Sequence, residues 1–215
     1  GVMDILSVMG QLILVTAAVE ISQALARFYP EEPDLERKKT VASTALFFSM
    51  TANAVVLGVF LLLAVPASRL VTGSVDVTSI FRIAVISIFL ESVFRFLVSQ
   101  FRWELRAKDN LIVNIVHIAI MPAVTILCML VFDLGLYSVY YGRIASFLIP
   151  GIVAAWMLRS SFSFSFNKKD LKTMLSFSAP LVPSSLAVFT AAAVDRFSIR
   201  AFMTLADVGL YGIGY

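Results

Sequence analysis

The chain has 215 residues, 60% of them hydrophobic and 14% charged, with a mean hydropathy of +0.92. Soluble domains run at about 45–50% apolar and about 25% charged, so this balance excludes an ordinary soluble fold and calls for lipid as a second solvent. The net charge of +3 reads as basic loops at a membrane face, and with no basic patch interleaved with aromatics, nucleic acid is excluded as a partner.

Six apolar segments follow one another, at about 3–27, 41–65, 79–101, 111–132, 137–158 and 174–203. At ~1.5 Å per residue, each reaches across a hydrocarbon layer of ~30 Å. None shows barrel alternation, so the fold class is all-α integral membrane. The first helix carries Thr16, Glu20, Gln23 and Arg27 on one face. The second ends before Pro66. The third places Ser87, Glu91, Arg95 and Arg102 on one face, with Arg82 nearly opposite and near enough to the end to snorkel. Glu91 and Arg95, four residues apart, can pair.

The fourth helix carries Asn110, Asn114, His117, Met121 and Thr125 on one stripe. His117, the single histidine, reads as a hydrogen-bonded contact between helices, and nothing beside it completes a metal site. Cys128, the single cysteine, reads as a buried hydrophobe and allows no disulfide within the chain. The fifth helix carries Arg143 about two turns from its start. The stretch 159–173, RSSFSFSFNKKDLK and its flank, reads as an amphipathic linker at the interface. The sixth helix opens on Pro180 and Pro183, where a kink or break is expected, and continues to Asp195 and Arg196.

The connectors alternate in charge. Arg27, Arg37, Lys38 and Lys39 flank or fill the first, Arg102, Arg106 and Lys108 the third, and Arg159, Lys168, Lys169 and Lys172 the fifth. Of basic residues, the intervening connectors hold Arg69 alone. By the positive-inside rule, loops 28–40, 102–110 and 159–173 are cytoplasmic in a multi-pass protein of the inner (cytoplasmic) membrane. The chain opens on Gly1 already within a helical pattern and closes on Tyr215 as another helix begins, which reads as a piece of a longer protein.

A charge at bilayer depth costs roughly 2.5–3.5 kcal/mol on insertion scales. A chain that keeps Glu20, Arg82, Glu91, Arg95, Arg143, Asp195 and Arg196 in apolar runs is expected to line a polar cavity with some of them. Arg82 fits an interfacial anchor. Glu91, Arg95, Arg143, Asp195, Arg196 and Glu20 are the candidates for a substrate-binding cavity. No GxSxG, HExxH, P-loop or paired-carboxylate motif is present, so no enzyme, catalytic residue, cofactor or metal is called for.

The sixth helix carries a more specific pattern. Pro180, Leu181 and Pro183, then Asp195, Arg196 and Phe197, then Val208, Gly209 and Tyr211 resemble the start of the second half of a polysaccharide transporter. Arg27, Phe28 and Tyr29 before an acidic-then-basic loop resemble the second helix of the same family. That family is the polysaccharide-transporter branch of the multidrug/oligosaccharidyl-lipid/polysaccharide exporter superfamily. The resemblance implies a two-lobe bundle of 12–14 helices, of which this chain would hold about six. Residues 1–158 would be most of the first lobe, 159–173 the inter-lobe linker, and 174–215 the first helix of the second lobe with the start of the next.

It further implies a flippase that moves polyprenyl-diphosphate-linked oligosaccharide, an O-antigen or exopolysaccharide repeat unit, by alternating access, with possible proton or sodium coupling. Arg95, Arg143 or Arg196 would then meet the diphosphate, since a guanidinium offers phosphate a planar fork of donors. A cation-coupled multidrug antiporter of the same superfamily is the alternative and would favour embedded acids. A membrane glycan ligase or polymerase would need a large outward loop, and the longest here spans about 66–78.

Overall fold

The computed structural model describes residues 20–66 and 78–202. Among these residues the regular elements are helical: α1 (Ile21–Glu31), α2 (Leu35–Leu62), α3 (Thr78–Trp103), α4 (Ala107–Leu130), α5 (Tyr137–Met157), α6 (Lys168–Ser178), a 3-10 turn (Ala179–Leu181) and α7 (Val182–Phe202). Among the described residues, four stretches are long and apolar enough to cross a membrane: Leu35–Leu62, Ala107–Leu130, Tyr137–Met157 and Lys168–Ala191. The protein is an all-α membrane protein.

Local chemistry sets the ends of these helices. The Asp34 carboxylate accepts the Glu36 N–H and caps α2, so that helix begins six residues before the expected position 41. The Asn167 side chain accepts the Lys169 N–H and starts α6 at Lys168 rather than 174. The break expected near the prolines of the 174–203 helix is present and falls at the 3-10 turn that contains Pro180, so the segment is two helices. Pro180 has no N–H to continue the ladder, whereas Pro183 lies in the first turn of α7, where none is required. The residues expected to open the next helix, Val208, Gly209 and Tyr211, lie outside the described residues, as does most of the first predicted span.

Helices α4 and α5 form the most extensive pair, α5 also packs on α3, α3 on α2, and α6 on α1 and α2. The α4–α5 approach depends on Gly142, where a Cβ would overlap the Thr125 hydroxyl and come within 2.9 Å of the Met121 carbonyl oxygen. Small residues at such crossings let membrane helices approach closely where no hydrophobic force between them exists. The far side of α4 is apolar and uncovered: of its residues only Val113 is buried, and Leu111, Ile115, Ile118, Ile126 and Leu127 are exposed. A fully apolar outer face fits lipid.

Three apolar clusters hold the bundle. One joins α1, α2, α3 and α6 around Ile21, Leu25, Val41, Phe96 and Met174. A second joins the far ends of α2, α3 and α5 around Phe81, Val85 and Tyr140. The third joins α3, α4 and α5 around Phe94, Phe101, Val113, Phe147 and Leu158.

All three basic connectors converge on one end of the bundle. Tyr29 hydrogen-bonds Glu104, Arg106 reaches the Met157 carbonyl, and Arg37 reaches Asp170. The linker 159–167 adds no strand. Its polar groups turn back onto α2: the Ser163 N–H donates to Ser43 Oγ (2.8 Å), Ser165 Oγ to Thr40 Oγ1 (3.0 Å), and the Asn167 N–H to Thr44 Oγ1 (3.1 Å). Phe162 packs into the core beside these serines, while Phe164 points fully outward.

Candidate functional site

Glu91 lies midway along α3 with its side chain 10% exposed, on a helix whose other buried residues are apolar apart from Ser87 and Gln100. Arg95, one turn later, reaches back to the first carboxylate oxygen, with Nη2 at 2.8 Å and Nε at 2.9 Å. Arg143 of α5 reaches the second oxygen through Nη2 at 2.9 Å. One carboxylate thus stands between two guanidinium groups and leaves one positive charge in excess. The two arginines differ in environment. The Arg143 side chain is 21% exposed and enclosed between α3 and α5, whereas the Arg95 side chain is 68% exposed.

An aromatic wall lies beside the trio. The His117 ring stacks on Phe147 at 4.9 Å and lies 4.9 Å from Phe94. His117 Nδ1 is 2.7 Å from the Ser146 carbonyl oxygen. A carbonyl only accepts, so Nδ1 carries the proton and donates. Asn114 binds the Asn110 carbonyl on the same stripe of α4. Deeper in α2, buried Asn53 donates to the Ser49 carbonyl at 2.8 Å.

A second polar cluster ties the basic connectors together. Glu104 accepts from Tyr29 Oη at 3.1 Å and from Gln100 Nε2 at 2.8 Å, and its other oxygen pairs with Arg106 Nη1 at 3.4 Å. Arg106 also donates to Asp109 at 2.7 Å and to the Met157 carbonyl at 3.2 Å. Burial, and then the Glu104 charge and hydrogen bond, push the Tyr29 phenol well above the ordinary tyrosine range. For Arg106, burial works against the charge, and the bonds and charges of Asp109 and Glu104 outweigh it, so its pKa is raised.

The α3–α4 turn beside this cluster is a Schellman motif. The Arg106 N–H donates to the Phe101 carbonyl at 2.8 Å and the Leu105 N–H to the Arg102 carbonyl at 3.1 Å. Leu105 fills the left-handed position at φ 57°, where glycine is usual and a leucine costs roughly 1–2 kcal/mol.

The expected site residues thus fall into three groups. Glu91, Arg95 and Arg143 come together. Arg82 is exposed near the start of α3, apart from them. Glu20 is not mid-helix as expected: it precedes α1 in a left-handed conformation, φ 50°, so the 3–27 stripe does not run unbroken through it. Arg27, its expected partner, lies over the Phe177 ring at 4.9 Å. Asp195 and Arg196 fall within α7, with side chains outside those described.

Tyr29, Asn53, Gln100 and Glu104 were not among the candidates. Their signals were present: an asparagine inside an apolar helix, and an acid inside a basic connector.

Comparisons with curated proteins and with solved structures returned no match. The family model described as polysaccharide biosynthesis protein matches residues 1–215, the whole length of the chain. An all-α membrane bundle agrees with that match, and the chain belongs to this family of polysaccharide biosynthesis proteins.

Proposed function

We propose that the chain is part of a flippase that carries polyprenyl-diphosphate-linked oligosaccharide, such as an O-antigen or exopolysaccharide repeat unit, from the cytoplasmic to the outer leaflet. It acts as a transporter and not as an enzyme. Residues 1–158 supply most of one lobe, 159–173 the linker, and 174–215 the entry into a second lobe, with the three basic connectors on the cytoplasmic side of the inner membrane. Proton or sodium coupling would drive the cycle.

The observation that carries this reading is the Arg95–Glu91–Arg143 trio. Both carboxylate oxygens are occupied, one positive charge remains, and the Arg95 side chain is 68% exposed. A diphosphate supplies the missing negative charge and accepts several N–H bonds from a guanidinium. The same geometry disfavours an antiporter for organic cations, because Glu91 is already neutralised. Asp195 and Arg196 are proposed to face the same path from α7. The test uses the full-length protein in a flippase-null cell, with Arg→Ala and Arg→Lys at 95, 143 and 196, at matched expression. Loss of surface glycan in the Arg95→Ala cell with partial rescue by Arg95→Lys is expected. Full rescue by all three alanine variants would overturn the assignment.

A further inference from the structure

The end of the bundle where the basic connectors meet contains a cavity of about 530 Å³. It lies between the close of α1, the first turn of α2, the α3–α4 turn and residues 160–161, and Lys38, Lys39, Trp103, Leu105 and Arg106 help to line it. The one carboxylate lining it, Glu104, is fully used by Tyr29, Gln100 and Arg106. The Lys38 ammonium lies over the Tyr29 ring at 5.5 Å and has no carboxylate partner among the described residues. Among the described residues, Lys39 pairs only with the exposed Glu36, at 2.8 Å. The floor therefore carries cationic charge that its own acids do not cancel, together with the serines at 160 and 161.

The rim has the opposite character. Leu35 and Leu105 line the same cavity and are largely exposed, Leu105 at 89%. Leu105 stands where the backbone favours glycine, so its side chain is kept at the cost of backbone strain and in exchange touches little of this chain. A free anion would need the lysines and not the leucines. An apolar ligand would need the leucines and not the lysines. An amphiphile with a phosphate head uses both, and basic cavities between helices at a membrane face are suited to such heads.

We infer that this cavity holds the head group of an anionic glycerophospholipid from the leaflet at that end, with its phosphate between Lys38 and Lys39 and its acyl chains over Leu35 and Leu105. The inference goes beyond the transport reading and stands whatever cargo the bundle moves.

Native mass spectrometry of the full chain in neutral detergent tests it, with four probes: phosphatidylglycerol, phosphatidylcholine, inorganic phosphate and a short-chain polyprenyl diphosphate. One phosphatidylglycerol should be retained in preference to phosphatidylcholine, and inorganic phosphate should not compete with it at equal concentration. K38A/K39A should weaken retention on the order of tenfold to thirtyfold, at roughly a factor of five for each lysine near a phosphate surface. K38R/K39R should restore it, which separates loss of charge from loss of fold. L105G, which relieves the strained turn, should weaken lipid retention, while K168A/K169A at the same end should leave it unchanged. Equal retention of the two phospholipids, wild-type retention by K38A/K39A, or full competition by inorganic phosphate would overturn the inference. A tenfold preference for the polyprenyl diphosphate over phosphatidylglycerol would also overturn it, by assigning the cavity to cargo.

Discussion

Glu91 is where removing one atom set should cost the most. In Glu91→Gln, Arg143 loses its only described carboxylate while remaining enclosed between α3 and α5. Breaking a buried ion pair by removing one partner costs about 3–5 kcal/mol, because the other charge is left uncompensated. Arg143 is 21% exposed and Glu91 10%, so the lower end of that range applies, about 3 kcal/mol. The Arg95 arm contributes far less. Its side chain is 68% exposed, and an exposed i, i+4 pair is worth roughly 0.3–0.5 kcal/mol after solvent screening. At about 2–4 °C per kcal/mol, Glu91→Gln should lower the thermal midpoint in detergent by about 6–12 °C, and Arg95→Ala by about 2 °C or less. A double-mutant cycle sharpens the contrast: Glu91→Gln with Arg143→Met should show coupling above about 1 kcal/mol, and with Arg95→Ala below about 0.5 kcal/mol. Equal losses from Arg95→Ala and Arg143→Met, or an unchanged midpoint for Glu91→Gln, would refute the unequal division of labour.

Three further changes probe the rest of the bundle. Tyr29→Phe removes the hydrogen bond to Glu104 and should cost about 1 kcal/mol at pH 7. Because the folded phenol is raised above its ordinary value, this contribution is fully present below about pH 10 and is lost as pH rises further, so the wild-type advantage over Tyr29→Phe in denaturant midpoints should hold at pH 7–9 and shrink beyond. Gly142→Ala should destabilise the α4–α5 pair by about 1–3 kcal/mol, since its Cβ meets the Met121 backbone as well as a side chain, and the midpoint in detergent reads this. Ser43→Ala and Thr44→Val remove the acceptors for the Ser163 and Asn167 N–H groups, and hydrogen exchange at those two amides should accelerate about tenfold while α5 amides stay unchanged.

Apolar run lengths and charge alternation made much of this architecture legible. The third and fifth helices, expected at 79–101 and 137–158, form at Thr78–Trp103 and Tyr137–Met157, and for the fifth a lipid-length apolar run leaves the backbone few alternatives to a helix. The alternation of basic connectors is the signal that 28–40, 102–110 and 159–173 share one end, as their contacts show. Boundaries set by single caps were harder to read. Asp34 and Asn167 begin their helices within polar stretches that the hydropathy pattern treats as loop. Glu91–Arg95 pairing was visible as an i, i+4 spacing, but Arg143 comes from another helix 52 residues away, and no spacing rule connects them. Glu20 fitted a helical stripe by periodicity, yet a left-handed residue interrupts that stripe, and such a break leaves no mark on hydropathy. Tyr29 and Glu104 fall within the expected loops 28–40 and 102–110, while their meeting depends on how α1 and α3 end.

The decisive measurement is the rate at which the full-length protein, reconstituted in liposomes, moves a fluorescent polyprenyl-diphosphate oligosaccharide between leaflets. If the excess charge beside Glu91 meets the diphosphate, Arg95→Ala should slow transfer at least tenfold while shifting the thermal midpoint by only about 2 °C. Wild-type transfer by Arg95→Ala would contradict the role assigned to the trio.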